Sequence, residues 1–318
     1  MNANLSFATT LSAVFQIFLM GAVGYILVKK KIVDDNGLNL LSGLVVTIFL
    51  PFFTFNQLIQ RFNFQLYPTW WIFPLISFGI TLSGFLVGRF LLILRRGVVS
   101  KKEFISLVAF QNSGYVPLLL VATMFPGPQA QELFIFILLF LIGFDLVFWS
   151  LGVWLLTRNK IDKFDLTNLL VSPLGAVLIS LLLIALGLQR FIPDILLKPV
   201  KMLGDCALPL AMVVVGGNLA RIAISEGNKK DISWVVLGKL LLLPLLALLF
   251  TSAFQIKGLI GFLIVLEAAV PSATSLSVVS RHYKTEDKFI NQGIFFTYIA
   301  SLITIPIFLS AYAWLVGF

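Results

Sequence analysis

Apolar runs of nearly constant length follow one another along this chain, separated by short polar or basic stretches. A helix needs about 20 mostly apolar residues to cross a bilayer core. Ten windows near that length can be drawn, at 9–28, 38–59, 70–94, 104–125, 131–156, 168–187, 194–219, 232–254, 257–280 and 289–316. Their length and apolar continuity predict ten transmembrane helices. No interval between them has room for a soluble domain. The expected class is therefore an all-α polytopic membrane protein built as one unit.

Two windows carry a proline flanked by small and polar residues. The fourth reads Gln111, Asn112, Ser113 and Gly114 ahead of Pro117; the ninth has Pro271, then Ser272, Thr274, Ser275 and Ser277. Proline lacks an amide donor and clashes with the preceding turn, so each helix is expected to break there. Backbone freed at membrane depth persists only where protein buries it or water reaches it. Interrupted helices at matching places in two halves are the sequence sign of a transporter's substrate site.

The spacing of prolines extends this pairing. Pro117 and Pro271 lie 154 residues apart, and Pro51 and Pro209 lie 158 apart. The chain thus divides into a first five-helix repeat over 1–157, a linker over 158–167 and a second repeat over 168–318. An odd number of spans per repeat makes the second copy enter from the opposite side, giving inverted repeats.

Composition agrees with a membrane chain: 59% of residues are hydrophobic and 12% charged, against about 25% charged in soluble domains. The net charge of +9 is topological. With an outside N-terminus, 16 of the 23 basic residues fall in loops facing the cytoplasm, among them Lys29, Lys30, Lys31, Arg95, Arg96, Lys101 and Lys102. Five lie on the other side: Arg61, Arg190, Lys198, Lys201 and Lys257. The positive-inside rule then places both termini outside a cell membrane, with lipid rather than nucleic acid as the partner of the basic surface. Basic residues follow the first apolar run, the wrong polarity for a cleavable signal. Cys206 is the sole cysteine, so no internal disulfide forms.

The chemistry expected at the two breaks follows from helix ends. Half-helix N-termini present free amides and partial positive charge, which attract anions; half-helix C-termini present carbonyls suited to cations or hydroxyl donors. Gln111, Asn112, Ser113, Gly114, Pro117, Pro271, Ser272, Thr274 and Ser275 are the candidate substrate-binding residues. Small and hydroxyl residues also serve as packing surfaces between membrane helices, and that reading fits Gly114, as a point of close backbone approach, and Ser277. Three ionisable residues fall inside windows: Asp145, Lys239 and Glu267. Each costs about 2.5–3.5 kcal/mol at mid-membrane and so needs a partner or a purpose. Glu267, one turn before Pro271, is a candidate proton acceptor, sodium ligand or ion-pair partner of Lys239. Asp145 and Lys239 are candidates for coupling, for a structural pair, or for snorkelling to the interface. Most of the six tryptophans are expected at the lipid or interfacial surface.

At these same positions the chain resembles a known family. Phe110 to Pro117, Pro209 with Gly216, and Val270 to Thr274 with Arg281 and His282 beyond are similar to motifs of the auxin efflux carriers. That family includes plant exporters of the PIN type and bacterial permeases for malate and other organic acids. The resemblance implies ten helices in two inverted repeats, with helices 4 and 9 crossing at their breaks as in bile-acid sodium symporters. It also implies a substrate site at Asn112 and the two breaks, and a homodimer through a scaffold face. Ser275 stands where many relatives carry asparagine, and the long cytoplasmic loop of plant exporters is missing.

Other classes lack their chemistry. No phosphate-cradling Gly-Lys-Ser/Thr loop supports a pump. The lone His282 and the absence of a nucleophile elbow leave an enzyme without catalytic groups. Broken helices also build channel filters, but internal inverted repeats favour alternating access. The resulting expectation is a secondary active transporter for a small organic anion, such as a carboxylate or auxin-like acid. It needs no cofactor, and sodium or a proton is the candidate coupling ion. Sodium-coupled symport and, behind it, a channel are the alternatives.

Overall fold

The computed structural model describes residues 6–157, 173–222, 229–282 and 287–316. Every regular element among them is helical, and a single isolated β-bridge joins Gln111 to Ser272. In chain order the helices are α1 (Phe7–Lys29), α2 (Asp35–Arg61), α3 (Ile72–Leu94), α4 (Lys101–Ala109), α5 (Tyr115–Met124) and α6 (Gly127–Thr157). There follow α7 (Pro173–Ala185), α8 (Asp194–Ala220), α9 (Lys229–Ala253), α10 (Gly258–Ala269), α11 (Ser275–His282) and α12 (Asp287–Val316).

Seven of these, α1, α2, α3, α6, α8, α9 and α12, are long and apolar enough to cross a membrane. The other three apolar windows hold shorter helices, for identifiable reasons. The fourth and ninth are each split into two rods, α4–α5 and α10–α11. The sixth is described from Pro173 onward; its first residues and the linker at 158–167 lie outside the described residues.

The helices sort by what covers them. α1 buries Thr10, Ala13, Val14, Ile17, Gly21 and Gly24, while Phe15, Leu19 and Val23 stay exposed on its other face. An apolar stripe left outside fits a helix whose solvent is lipid. α6 is the opposite case, with 72% of its apolar window buried, so it lies at the centre.

Glycine sets the closest approach. A Cβ on Gly216 of α8 would sit 1.8 Å from the Gly21 carbonyl oxygen, and one on Gly24 would sit 1.9 Å from that of Val213. Backbones this near are held by van der Waals packing and need small residues at the seam. α1 therefore locks onto the C-terminal half of α8, while α2 packs on α7 and on the N-terminal half of α8. α3 packs on α6 and α4, and α9 on α10 and α12.

Single π-helical turns interrupt α2 at Val45–Phe49, α6 at Phe148–Gly152 and α9 at Gly238–Leu242. Pro51 and Pro244 stand two residues beyond the ends of two of these turns. A π turn widens the coil where the proline ring would meet the preceding carbonyl, so neither proline ends its helix. Proline alone is thus a weak locator of breaks in this chain.

Candidate functional site

The interruption in the fourth window begins at Phe110, whose backbone turns extended (φ −99°, ψ 116°), and ends at Gly114. Pro117 is not in it. It occupies the third position of α5, where its missing amide is one that no helix bonds internally. In the ninth window the unwound stretch runs from Val270 to Thr274, and Pro271 lies within it. The two prolines are thus not equivalent. The break before Pro117 comes from the segment itself, which exchanges helical hydrogen bonds for bonds to the other break.

Those bonds are specific. The Asn112 amide donates to the Pro271 carbonyl at 2.9 Å, and the Ala273 amide donates to the Phe110 carbonyl at 3.0 Å. The two unwound strands thereby pair antiparallel around Gln111 and Ser272. Ser272 Oγ donates to the Leu107 carbonyl at 2.7 Å, capping the free end of α4, and the Ser272 amide donates to Thr297 Oγ1 of α12 at 3.3 Å. Asn112 works at both ends. Its Oδ1 accepts from the Tyr115 amide at 3.2 Å, and its Nδ2 donates to the Tyr298 hydroxyl. Backbone groups stranded by two broken helices are in this way satisfied without water.

A cavity of about 180 Å³ opens against this crossing. Gln111, Asn112, Ser113, Gly114, Thr274 and Ser275 line it, with Asp145 and Trp149 from α6 and Thr54 from α2. Pro117, Pro271 and Ser272 are buried and do not line it; they build the wall from behind. Gly114 is no point of close approach, because a Cβ there would meet nothing within 4 Å. Its smallness leaves room in the cavity instead. The amide of Gln111 and the hydroxyl of Ser113 are buried and have no hydrogen-bond partner. Each therefore keeps unused hydrogen-bonding capacity at the break.

The buried charges divide into two places. Asp145 lines the cavity beside Tyr115 and forms no salt bridge among the described residues. Lys239 and Glu267 are wholly buried away from it and feel each other's charge, but they stand beyond salt-bridge distance. Ser113 lies next to Glu267, yet its Oγ and both carboxylate oxygens fall short of hydrogen-bonding geometry. Snorkelling is excluded for Lys239, whose side chain has no exposed surface. A structural pair between Asp145 and Lys239 is not formed.

Several residues of the site carry no mark in the sequence. Tyr298, 186 residues from Asn112, is found only through the packing of α12. Most tryptophans were expected at the lipid or interfacial surface, and Trp149 instead lines the cavity. Its spacing of one turn from Asp145 places the two on one face of α6, which is the signal that could have found it. Trp71, Trp154 and Trp314 do sit exposed, as expected.

With this geometry in place, the chain can be set beside other proteins. A family model described as membrane transport protein matches residues 9–168 and 156–309. An uncharacterized transporter of Methanothermobacter thermautotrophicus is 26% identical over 306 residues, spanning 95% of this chain and 98% of that protein. The protein PIN-LIKES 1 of Arabidopsis thaliana is 25% identical over 189 residues, 53% of this chain but only 39% of its own length. PIN-LIKES 6 of the same plant is 31% identical over 112 residues, 34% of this chain and 26% of that protein. Matches that run across both halves, on a chain with seven membrane-length apolar helices, have one reading: it is a multi-pass membrane protein and belongs to the auxin efflux carrier family of membrane transport proteins.

Proposed function

We propose that this protein is a secondary active transporter that carries a small organic anion, a carboxylate or auxin-like acid, by alternating access at the two crossed breaks. One observation carries the reading. Two broken helices pair backbone to backbone, and the N-termini of α5 and α11 both open onto the same cavity. Two such ends give an anion a favourable field without a fixed cation.

The packing supports ten spans in two inverted repeats, 1–157 and 168–318. The first span packs on the seventh and the second on the sixth; the third packs on the fifth and the eighth on the tenth. Exchanging the halves turns each pair into its mate, as a two-fold axis in the membrane plane demands. α1, α2, α7 and α8 form one packed group, and the helices around the breaks form the other. Such a division suits an elevator or rocking motion of the crossing region against a scaffold, with a homodimer formed through that scaffold.

Orientation with both termini outside a cell membrane fits the loop contacts. Arg95 binds Asp231 at 3.2 Å and Arg221 binds Asp35 at 2.6 Å, all four at ends assigned to the cytoplasm. Arg61 bonds Gln131 at the other side. Ser275 lines the cavity at the breaks, and Ser277 on the same helix lines a polar cavity of about 530 Å³ at the cytoplasmic end. These two serines mark a route for substrate from inside.

Sodium-coupled symport is the second reading. It is favoured by the unpartnered oxygens of Gln111, Ser113 and Glu267 around the break, which are hard ligands of the kind an alkali cation takes. A proton on Glu267 or Asp145 is the other coupling candidate.

The test is flux in proteoliposomes with malate, other carboxylates and indole-3-acetate, in sodium and then in choline. Asn112→Ala removes its side-chain bonds to the Tyr115 amide and the Tyr298 hydroxyl and should lower saturable uptake at least tenfold while insertion persists; Pro271→Ala should do likewise. Normal flux in both variants would discard this site.

A further inference from the structure

The cavity at the breaks is dipolar, and its negative side belongs to the protein. One wall holds the N-terminal ends of α5, where the Tyr115 amide is bonded to Asn112 Oδ1, and of α11, together with Gln111 and Ser113, whose side-chain polar atoms are buried and unpartnered among the described residues. The α6 wall offers Asp145, with Trp149 one turn further on and Tyr115 beside it. Among the described residues no lysine or arginine lines the cavity. α2 contributes Val46, Leu50 and Thr54, and the ninth window contributes Ala273, Thr274 and Ser275, so no charge faces Asp145 from either. Tyr115 is the one other titratable group of the lining among the described residues, and Glu267 lies behind Ser113 with Lys239 near enough to offset its charge.

A simple carboxylate seated at the helix N-termini would place its charge in a confined, weakly screened space with the Asp145 carboxylate. Like charges there repel far more strongly than in water. A dicarboxylate would add a second negative group to the same space. A ligand with a cation at its other end turns that repulsion into attraction, and the aromatic faces of Trp149 and Tyr115 favour an ammonium further. The volume, about 180 Å³, lies below the roughly 300–1,000 Å³ of drug-sized sites and limits the ligand to a few heavy atoms.

We propose that the cavity takes a small carboxylate that also bears a protonated amine, an amino-acid-like zwitterion, with its carboxylate at the N-termini of α5 and α11 and its ammonium at Asp145. The assignment rests on the carrier reading above and narrows its substrate class. Asp145 is then the residue that separates amino acids from hydroxy acids of the same skeleton.

The test uses the full chain in lipid nanodiscs and isosteric pairs: glycine against glycolate, alanine against lactate, serine against glycerate, with malate added. Binding is read by calorimetry and by the ligand-induced rise in Tm. The amino acid of each pair should bind at least tenfold more tightly than its hydroxy acid, and Asp145→Asn should bring that ratio to about one. The wild-type panel decides alone if the variant fails to fold. Hydroxy acids or malate binding as tightly as the amino acids would overturn the zwitterion and leave the organic-anion carrier standing. Hydroxy-acid binding that strengthens on acidification, and loses that dependence in Asp145→Asn, would also overturn it, because a proton then replaces the ammonium. Silence from every carboxylate would overturn both readings.

Discussion

Lys239 and Glu267 present the sharpest problem at the level of single residues. Both side chains are fully buried, neither has a hydrogen-bond partner, and each feels the other's charge across the α9–α10 contact. The attraction between them offsets part of the cost of burying both, so losing one leaves the other less compensated in a site that excludes water. Glu267→Gln or Lys239→Met alone should therefore lower the melting temperature of the purified protein clearly, and the double variant should recover most of the loss. A Glu267→Gln protein that melts like wild type but loses its response to sodium or pH would assign Glu267 to coupling instead. Tyr298 offers a gentler probe. Tyr298→Phe deletes only the hydroxyl that receives Asn112. A hydrogen bond is worth about 0.5–1.5 kcal/mol net, so uptake should fall several-fold, less than in Asn112→Ala; equal losses in the two would deny Asn112 its second role as cap of α5.

Among the elements, the α1–α8 seam separates what glycine must do from what it merely does. At Gly216 an added methyl would collide with the Gly21 backbone, whereas at Gly114 it meets open space. Gly216→Val should cost several times the roughly 1–3 kcal/mol of ordinary overpacking, because neither backbone can yield. Gly114→Ala should leave melting unchanged while narrowing the cavity and weakening substrate binding. Thermal unfolding of the two proteins side by side checks both statements. Much of this level was legible in the sequence. Apolar windows gave the helices, because length against bilayer thickness is a local property. The polar strings around Asn112 and Ser272 marked the breaks, because such runs are tolerated only where lipid is absent. Pro117 misled about position, since it fits the first turn of α5, whereas Pro271 does lie within its break. Tyr298 was not legible, because its place depends on which helices meet, and Trp149 was marked only by its spacing of one turn from Asp145.

For the molecule as a whole, the decisive quantity is sidedness, since inverted repeats and a cytoplasmic approach to the site both require it. The charge count assigns Lys101 and Lys230 to the inner surface and Lys198 and Lys257 to the outer one. All four side chains are exposed, so each can carry a label without disturbing packing. Cys206, the sole cysteine, is also exposed, and its thiol bonds the Met202 carbonyl at 3.5 Å. Serine can keep that bond, so Cys206→Ser should give a functional background. On that background, single cysteines replace the four lysines in turn, and a membrane-impermeant maleimide is applied to intact cells and to inverted vesicles. Lys198→Cys and Lys257→Cys should react in cells, and Lys101→Cys and Lys230→Cys only in inverted vesicles. Positions 101 and 257 are the informative pair. They begin the two broken spans, and opposite labelling means that α4 and α10 enter the crossing from opposite faces, which lets the helix N-termini of both halves meet at one cavity. Labelling of both from one side would leave the breaks parallel and remove the two-fold relation on which alternating access at this site depends.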